Sequence, residues 1–243
     1  MLPAKPNSLV VAWFDWWCLK AMREQFRRVH LYGQSAGALE CFAPTKSRIY
    51  SGNHHSFWDG IILNYLCRGY GLGRMCMIDQ VQVEKHPFFR RIGGFSVDRA
   101  SPRDGMAAVK YAADQLNGPN LIAMFIFPQG KIHPPAQPLE YQNGIGHIVR
   151  QAPVPLVPMA LRYAFWGEQR AEAMVWIGDP LYPKGSPREA TQLLKRKIEL
   201  GQSVLAEADA QQRPGDRVGM EGKVSISHWK DRLPFRKKTG PAT

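Results

Sequence analysis

Residues 121–127, Leu-Ile-Ala-Met-Phe-Ile-Phe, form an unbroken apolar run between Asn117-Gly118-Pro119 and Pro128. Seven residues are too few for a buried helix and suit a strand. With no polar side chain at alternate positions, both faces of that strand must be covered. This is the mark of a central strand in a parallel sheet, with helices on either side. The segment before it agrees. Residues 102–116 carry a helical apolar period, a proline in the first turn, and the Asn117-Gly118 stop.

The same reading places strands over 29–32, 48–51, 75–78, 94–99 and 173–177. A further strand over 154–161 carries Pro155 and Pro158, which argues for an edge or a bulge. Helices are expected over 8–28, 60–66 and 144–150, in a short turn after Pro87, and in a long charged stretch over 188–210. The fold class that follows is α/β: a mixed, mostly parallel sheet flanked by helices, with an N-terminal amphipathic helical segment. Three parts are expected: a membrane-facing helix over 1–28, an α/β domain over 29–210, and a basic polar tail over 211–243. Gly69, Gly71 and Gly73 lack the dinucleotide-binding context and read as a turn.

Composition narrows the partners. The chain has 243 residues, 44% of them hydrophobic, enough for a core. A net charge of +12 and a pI near 9.7 call for an anionic partner. Nucleic acid is the weaker choice, because no helix-turn-helix, zinc or RNA-binding signature accompanies the charge. Trp13, Phe14, Trp16 and Trp17 beside Lys20, Arg23, Arg27 and Arg28 suit a helix at a lipid headgroup boundary; a core-packing helix with a basic outer face fits them as well. No stretch reaches the roughly 20 apolar residues of a spanning helix. A cytoplasmic protein, peripheral on the inner face of a membrane, is the expectation. Cys18, Cys41, Cys67 and Cys76 have neither metal nor disulfide-scaffold spacing and read as free thiols; no metal site is expected.

Residues 52–59, Gly-Asn-His-His-Ser-Phe-Trp-Asp, fall between strand 48–51 and helix 60–66. Such junctions lie at the sheet edge where open α/β folds keep their sites. Asp59 can accept a hydrogen bond from one ring nitrogen of His54, leaving the other free to take a proton from a hydroxyl. A plainer reading stands beside it: Ser56-x-x-Asp59 before an apolar run is also a capping box. His55 reads as a space-filling neighbour or a second anion donor.

Four segments in order carry a resemblance. Residues 53–59 resemble the NHxSxxD block of the glycerolipid acyltransferase family, lysophosphatidic acid acyltransferase type. Residues 94–99, Gly-Phe-Ser-Val-Asp-Arg, are similar to its second block. Residues 127–130, Phe-Pro-Gln-Gly, resemble its third, usually FPEGTR. Residues 154–158 are similar to its fourth. The resemblance covers about residues 27–180.

It implies transfer of a fatty acyl chain from acyl-CoA or acyl-carrier protein to a hydroxyl of a lysophospholipid-like acceptor, in phospholipid biosynthesis, with no cofactor beyond that co-substrate. His54 would be the general base and Asp59 its orienting partner. Asn53, Ser56, Gly94, Arg99, Gln129, Gly130 and Lys131 would bind substrate. Backbone N–H groups near Ser56 and Gly130 would steady the oxyanion, and an apolar channel would lie beside His54. A plainer role for Arg99 is an ion pair with Asp98 or Asp104. The third block departs from the pattern. Gln129 replaces glutamate, Lys131 threonine and Ile132 arginine, which opens the acceptor to a glycolipid, an amino-acid lipid or a lipid-soluble alcohol. A non-catalytic membrane-binding relative is the remaining alternative.

Overall fold

The computed structural model describes residues 1–42, 45–135, 137, 138 and 140–223. The basic run 232–238, with Trp229 and Phe235, lies outside them. Eight strands are β1 (Phe26–Gly33), β2 (Arg48–Gly52), β3 (Gly73–Asp79), β4 (Gly94–Val97), β5 (Ile122–Ile126), β6 (Leu156–Ala164), β7 (Ala171–Ile177) and β8 (Arg217–Glu221). They form one sheet in the order β4-β3-β5-β2-β6-β7-β1-β8. The pairs β4/β3, β3/β5, β5/β2, β2/β6 and β7/β1 are parallel; β6/β7 and β1/β8 are antiparallel. The mixed, mostly parallel α/β sheet is therefore as expected, with β5 central and every residue of it buried.

Helices cover both faces. On one side lie α1 (Ser8–Gln25) and α2 (Trp58–Leu66), whose Cys18, Met22, Ile62 and Leu63 join Tyr50, Phe125 and Val175 of the sheet in one core. On the other lie α5 (Pro102–Leu116), α6 (Gly144–Gln151) and α7 (Pro187–Ala210), packed on Ile49, Met124 and Leu156. Gly201 brings α7 close to the sheet: a Cβ there would meet the Trp176 ring at 2.2 Å. Two short helices, α3 (Gln80–Lys85) and α4 (Phe88–Arg91), fill the crossover from β3 to β4. The sequence reading expected only the second.

Three expectations change. The first helix stops at Gln25, and residues 26–28 already belong to β1, where Arg27 and Arg28 face Glu168 and Glu221. Residues 217–221, expected in the tail, pair with β1 as β8. They are held by backbone bonds, and Met220 alone among them is buried.

The third change concerns β6, which is interior despite its prolines. The Pro158 carbonyl accepts the Gly178 N–H at 2.9 Å, so its donor-less nitrogen faces the β7 side. The β6–β7 ladder begins one residue later, at Met159 opposite Ile177. The missing donor therefore falls just past the end of the neighbouring strand.

Candidate active site

The five parallel-paired strands β4, β3, β5, β2 and β6 include four whose C-terminal ends open onto one edge with the quoted motifs. Residues 53–57 follow β2, 127–130 follow β5, Asp79 ends β3, and Asp98-Arg99 follow β4.

At the β2 end, Asp59 sits in the first turn of α2 and is fully buried. Its Oδ2 accepts three donors: His54 Nδ1–H at 2.8 Å, the His55 N–H at 2.7 Å and the Ser56 N–H at 2.9 Å. Its Oδ1 accepts the Tyr163 hydroxyl at 2.5 Å. Four donors compensate a buried carboxylate that would otherwise be costly. The bond from Nδ1 fixes the imidazole tautomer and leaves the Nε2 lone pair free. The His54 side chain is 20% exposed, so that nitrogen can meet a substrate.

The capping box is only half present: α2 has Phe57, not Ser56, at its N-cap, with no side-chain cap bond, and the Asp59 N–H goes to the Ser56 carbonyl and not to its hydroxyl. Ser56 Oγ accepts the Trp58 N–H at 3.2 Å, while the Asp59 carboxylate accepts the Ser56 N–H. One carboxylate thus ties down the turn before α2 and orients the histidine.

The β5 loop holds His54 from its other side. Phe127 stacks on the imidazole with centroids 4.3 Å apart and planes 17° from parallel. Gln129, almost fully buried, accepts the His54 backbone N–H on Oε1 at 2.6 Å, and its Nε2 has no hydrogen-bond partner among the described residues. Gly130 has φ +72° and lies 3.1 Å, measured from an ideal Cβ position, from Arg99 Cδ and Nη1. A side chain there would displace Arg99 and strain the turn. The His133 N–H donates to the His54 carbonyl at 2.9 Å, tying the next loop to the same residue.

The other candidate residues sit as follows. Asn53 is fully buried, and its amide clamps the Leu161 backbone through Nδ2 at 3.0 Å and Oδ1 at 2.8 Å, joining β2 to β6. Gly94 opens β4, at the end of that strand away from the site. A Cβ there would meet the Phe89 carbonyl at 2.8 Å, so it serves a close backbone approach. Arg99 pairs with Asp79, not with Asp98 or Asp104; Nη2 and Nε lie 2.8 and 2.9 Å from Oδ2. Lys131 is exposed.

Two N–H groups drop out as oxyanion donors. The Ser56 N–H serves Asp59, and the Gly130 N–H donates to the Phe127 carbonyl at 3.0 Å. Two surface grooves, one at Lys5, Arg90 and Arg91 and one at Asp79, Glu84 and Arg99, are lined by charges, and neither includes His54. Neither is the apolar channel expected beside His54, where the apolar groups of the flanking segments include Phe127, Trp58, Phe57 (60% exposed) and Ile132 (51% exposed).

His55 lies beside the pair, with Nε2 3.2 Å from Gln202 of α7. Burial pushes its pKa below the ordinary 6.5, against the pull of Asp59. The Tyr163 pKa is pushed well above 10 by burial first and by the Asp59 charge second, so its hydroxyl stays a donor. Tyr163 and Phe127 were not among the expected site residues. Phe127 lay within a quoted block; nothing local marks Tyr163, which is 104 positions from its partner. Among the described residues, no three His, Cys, Asp or Glu side chains stand together as metal ligands. No described helix is long and apolar enough to cross a membrane.

Comparison with known proteins gives three results. The crystal structure of the 1-acyl-sn-glycerophosphate (LPA) acyltransferase PlsC from Thermotoga maritima superposes with a TM-score of 0.60. It covers 82% of this chain and 80% of that one at 19% identity, which shows a shared fold. The Legionella pneumophila ATPase DotB, at a TM-score of 0.38 and 8% identity over 77% and 64% of the two chains, carries no argument. No curated protein sequence matches. A family model described as Acyltransferase matches residues 36–162, more than half of the chain, including His54, Asp59 and the loop after β5 and ending one residue before Tyr163. The chain belongs to the acyltransferase family.

Proposed function

We propose that this enzyme moves a fatty acyl group from a thioester donor, acyl-CoA or acyl-carrier protein, to a hydroxyl of a lysophospholipid-like acceptor, with His54 as general base. The observation that carries it is the orientation of His54, with Nδ1 held by a buried carboxylate and Nε2 open at the sheet edge. The acceptor hydroxyl attacks the thioester carbonyl as Nε2 takes its proton. The new C–O bond forms, the C–S bond breaks, and the proton passes to the departing sulfur. Asp59 keeps the tautomer and balances the imidazolium. PlsC of the same fold is an LPA acyltransferase, which favours a 1-acylglycerol-3-phosphate type of acceptor.

His54→Ala tests the reading. Thiol release from a long-chain acyl thioester should fall on the order of 10³-fold, with an unchanged far-ultraviolet spectrum. Near-normal turnover would remove His54 from the mechanism.

A second reading concerns the acceptor alone. Arg99 is neutralised by Asp79, and Lys131 is an exposed point charge. These fit an acceptor without a phosphate at that position, such as a glycolipid, an amino-acid lipid or a lipid-soluble alcohol. Side-by-side turnover of lysophosphatidic acid and a neutral monoacyl acceptor separates the two.

Membrane docking is the third element. Leu9, Trp13 and Trp16 share one face of α1 at helical spacing and are 79%, 52% and 57% exposed, with Lys20 set over Trp16. Beside them lie Phe88 and the cations Lys5, Arg90 and Arg91. Aromatics next to cations suit the headgroup region of an anionic leaflet. If the face docks there, Trp13→Ser with Trp16→Ser reduces sedimentation with anionic vesicles; unchanged sedimentation overturns the assignment.

A further inference from the structure

Asp59 is held asymmetrically. Three N–H donors converge on Oδ2, and all three come from residues 54–56. A carboxylate plane rotates in a broad, two-fold well about χ2. Donors gathered on one oxygen anchor that oxygen but leave the plane to swing. Among the described residues the other oxygen meets a single donor, the hydroxyl of Tyr163, at 2.5 Å and from a strand 104 positions away. A charge-assisted O–H···O⁻ bond of that length is among the strong ones.

Tyr163 is itself fixed without help from Asp59. Its ring stacks on Phe26 of β1, with centroids 5.6 Å apart and planes 18° from parallel. Phe26 meets Trp58, the first residue of α2, edge-on at 5.3 Å. The hydroxyl therefore reaches Asp59 from a frame made by β6, β1 and the start of α2.

We propose that Tyr163 is a positioning residue of the acyl-transfer site: its hydroxyl fixes Oδ1 of Asp59, and so holds the carboxylate plane and the His54 imidazole in the orientation that leaves Nε2 open. The inference rests on the reading of His54 as the base, and it adds a third member to that pair.

The consequence has a sign. The hydroxyl draws charge from Asp59. Without it, the full carboxylate charge faces the imidazole, and the protonated form of His54 gains. The other groups facing the pair are His55 and Ser56 in the same loop, Phe127 and Gln129 after β5, and His133 beyond them. Of these only Ser56 also shares a side-chain hydrogen bond with the Tyr163 hydroxyl; the others are unchanged when that hydroxyl alone is removed.

Tyr163→Phe keeps the ring on Phe26 and removes only the hydroxyl, with its bonds to Asp59 and Ser56. The expected result is a fall in kcat of about tenfold, the loss of one hydrogen bond to a charged group. KM for the acyl donor should stay within about twofold. The acid limb of kcat/KM should move to higher pH by roughly half a unit or more. Phe26→Leu is the packing control: it should lower the melting temperature and leave the limb in place.

Nuclear magnetic resonance titration of the His54 ring reads the same shift without turnover. It therefore separates the two claims: an active His54→Ala variant sinks the base reading, whereas an unmoved His54 midpoint in Tyr163→Phe sinks this one. A limb that moves as far in Phe26→Leu as in Tyr163→Phe also overturns it, because loosened packing would then be the cause.

Discussion

Among the described residues two histidines pair with a carboxylate, and only one pair has the form of an active site. His54 lies 2.8 Å from Asp59, and His30 lies 3.1 Å from Glu172. Both carboxylates are buried. The difference is the second ring nitrogen. His30 is fully buried in β1, between β7 and β8, and its Nδ1 accepts the Gly215 N–H at 3.3 Å. Its Nε2–H is directed at Glu172, and its ring lies 5.1 Å from that of Trp166. Every polar atom of that imidazole has a protein partner. His54 sits beyond the end of β2, with one nitrogen engaged and one open. A His–acid pair is therefore a common structural part; a free nitrogen at a sheet edge turns it into a base.

The comparison breaks most sharply at the carboxylates. Asp59→Asn should cut kcat/KM on the order of 10³-fold. The asparagine oxygen must face the donors of residues 54–56, which turns its NH₂ toward Tyr163 and leaves the imidazolium without a counter-charge. Glu172→Ala should do the reverse. Activity should stay within about twofold, while the stranded His30 N–H lowers stability by on the order of 2–4 kcal/mol. Activity assays paired with denaturant unfolding check both. Equal losses of activity in the two variants would erase the distinction.

Legibility in the sequence followed the range of the interactions. The strand at Ile122–Ile126 and the helix at Pro102–Leu116 were readable because burial writes itself into local apolar pattern. The His54–Asp59 pair was readable because both ends lie within one turn of chain. Pro158 misled, because a missing donor matters only on the side where a neighbour still runs, and the sequence does not show where β7 stops. β8 was missed for a related reason: Arg-Val-Gly-Met-Glu bonds through its backbone and buries little. N–H groups near Ser56 and Gly130 were expected at an oxyanion; those of Ser56 and Gly130 themselves each close a local hydrogen bond. Tyr163 was invisible because its role depends on β6 lying beside β2, a fact of topology that no local pattern records.

His55 supplies the smallest and finest test, since it stands next to the base but is half-buried against Gln202 of α7. Burial is the main cause that lowers its pKa; Asp59 and a backbone hydrogen bond at His133 oppose this, and the charges of His54 and His133 add to it. In the unfolded chain the group returns to about 6.5. Between its lowered folded value and 6.5, the unfolded state therefore holds more protons than the folded one. Stability must then rise with pH through that window, and fall as the pH drops below 6.5. His55→Gln removes this contribution while leaving Asp59 and His54 in place. The difference in unfolding midpoint between pH 5.5 and pH 7.5 should be smaller in the variant than in the parent protein. An identical difference in both would mean that the His55 ring is as well solvated folded as unfolded, and that His54 stands alone in having an environment tuned by its neighbours.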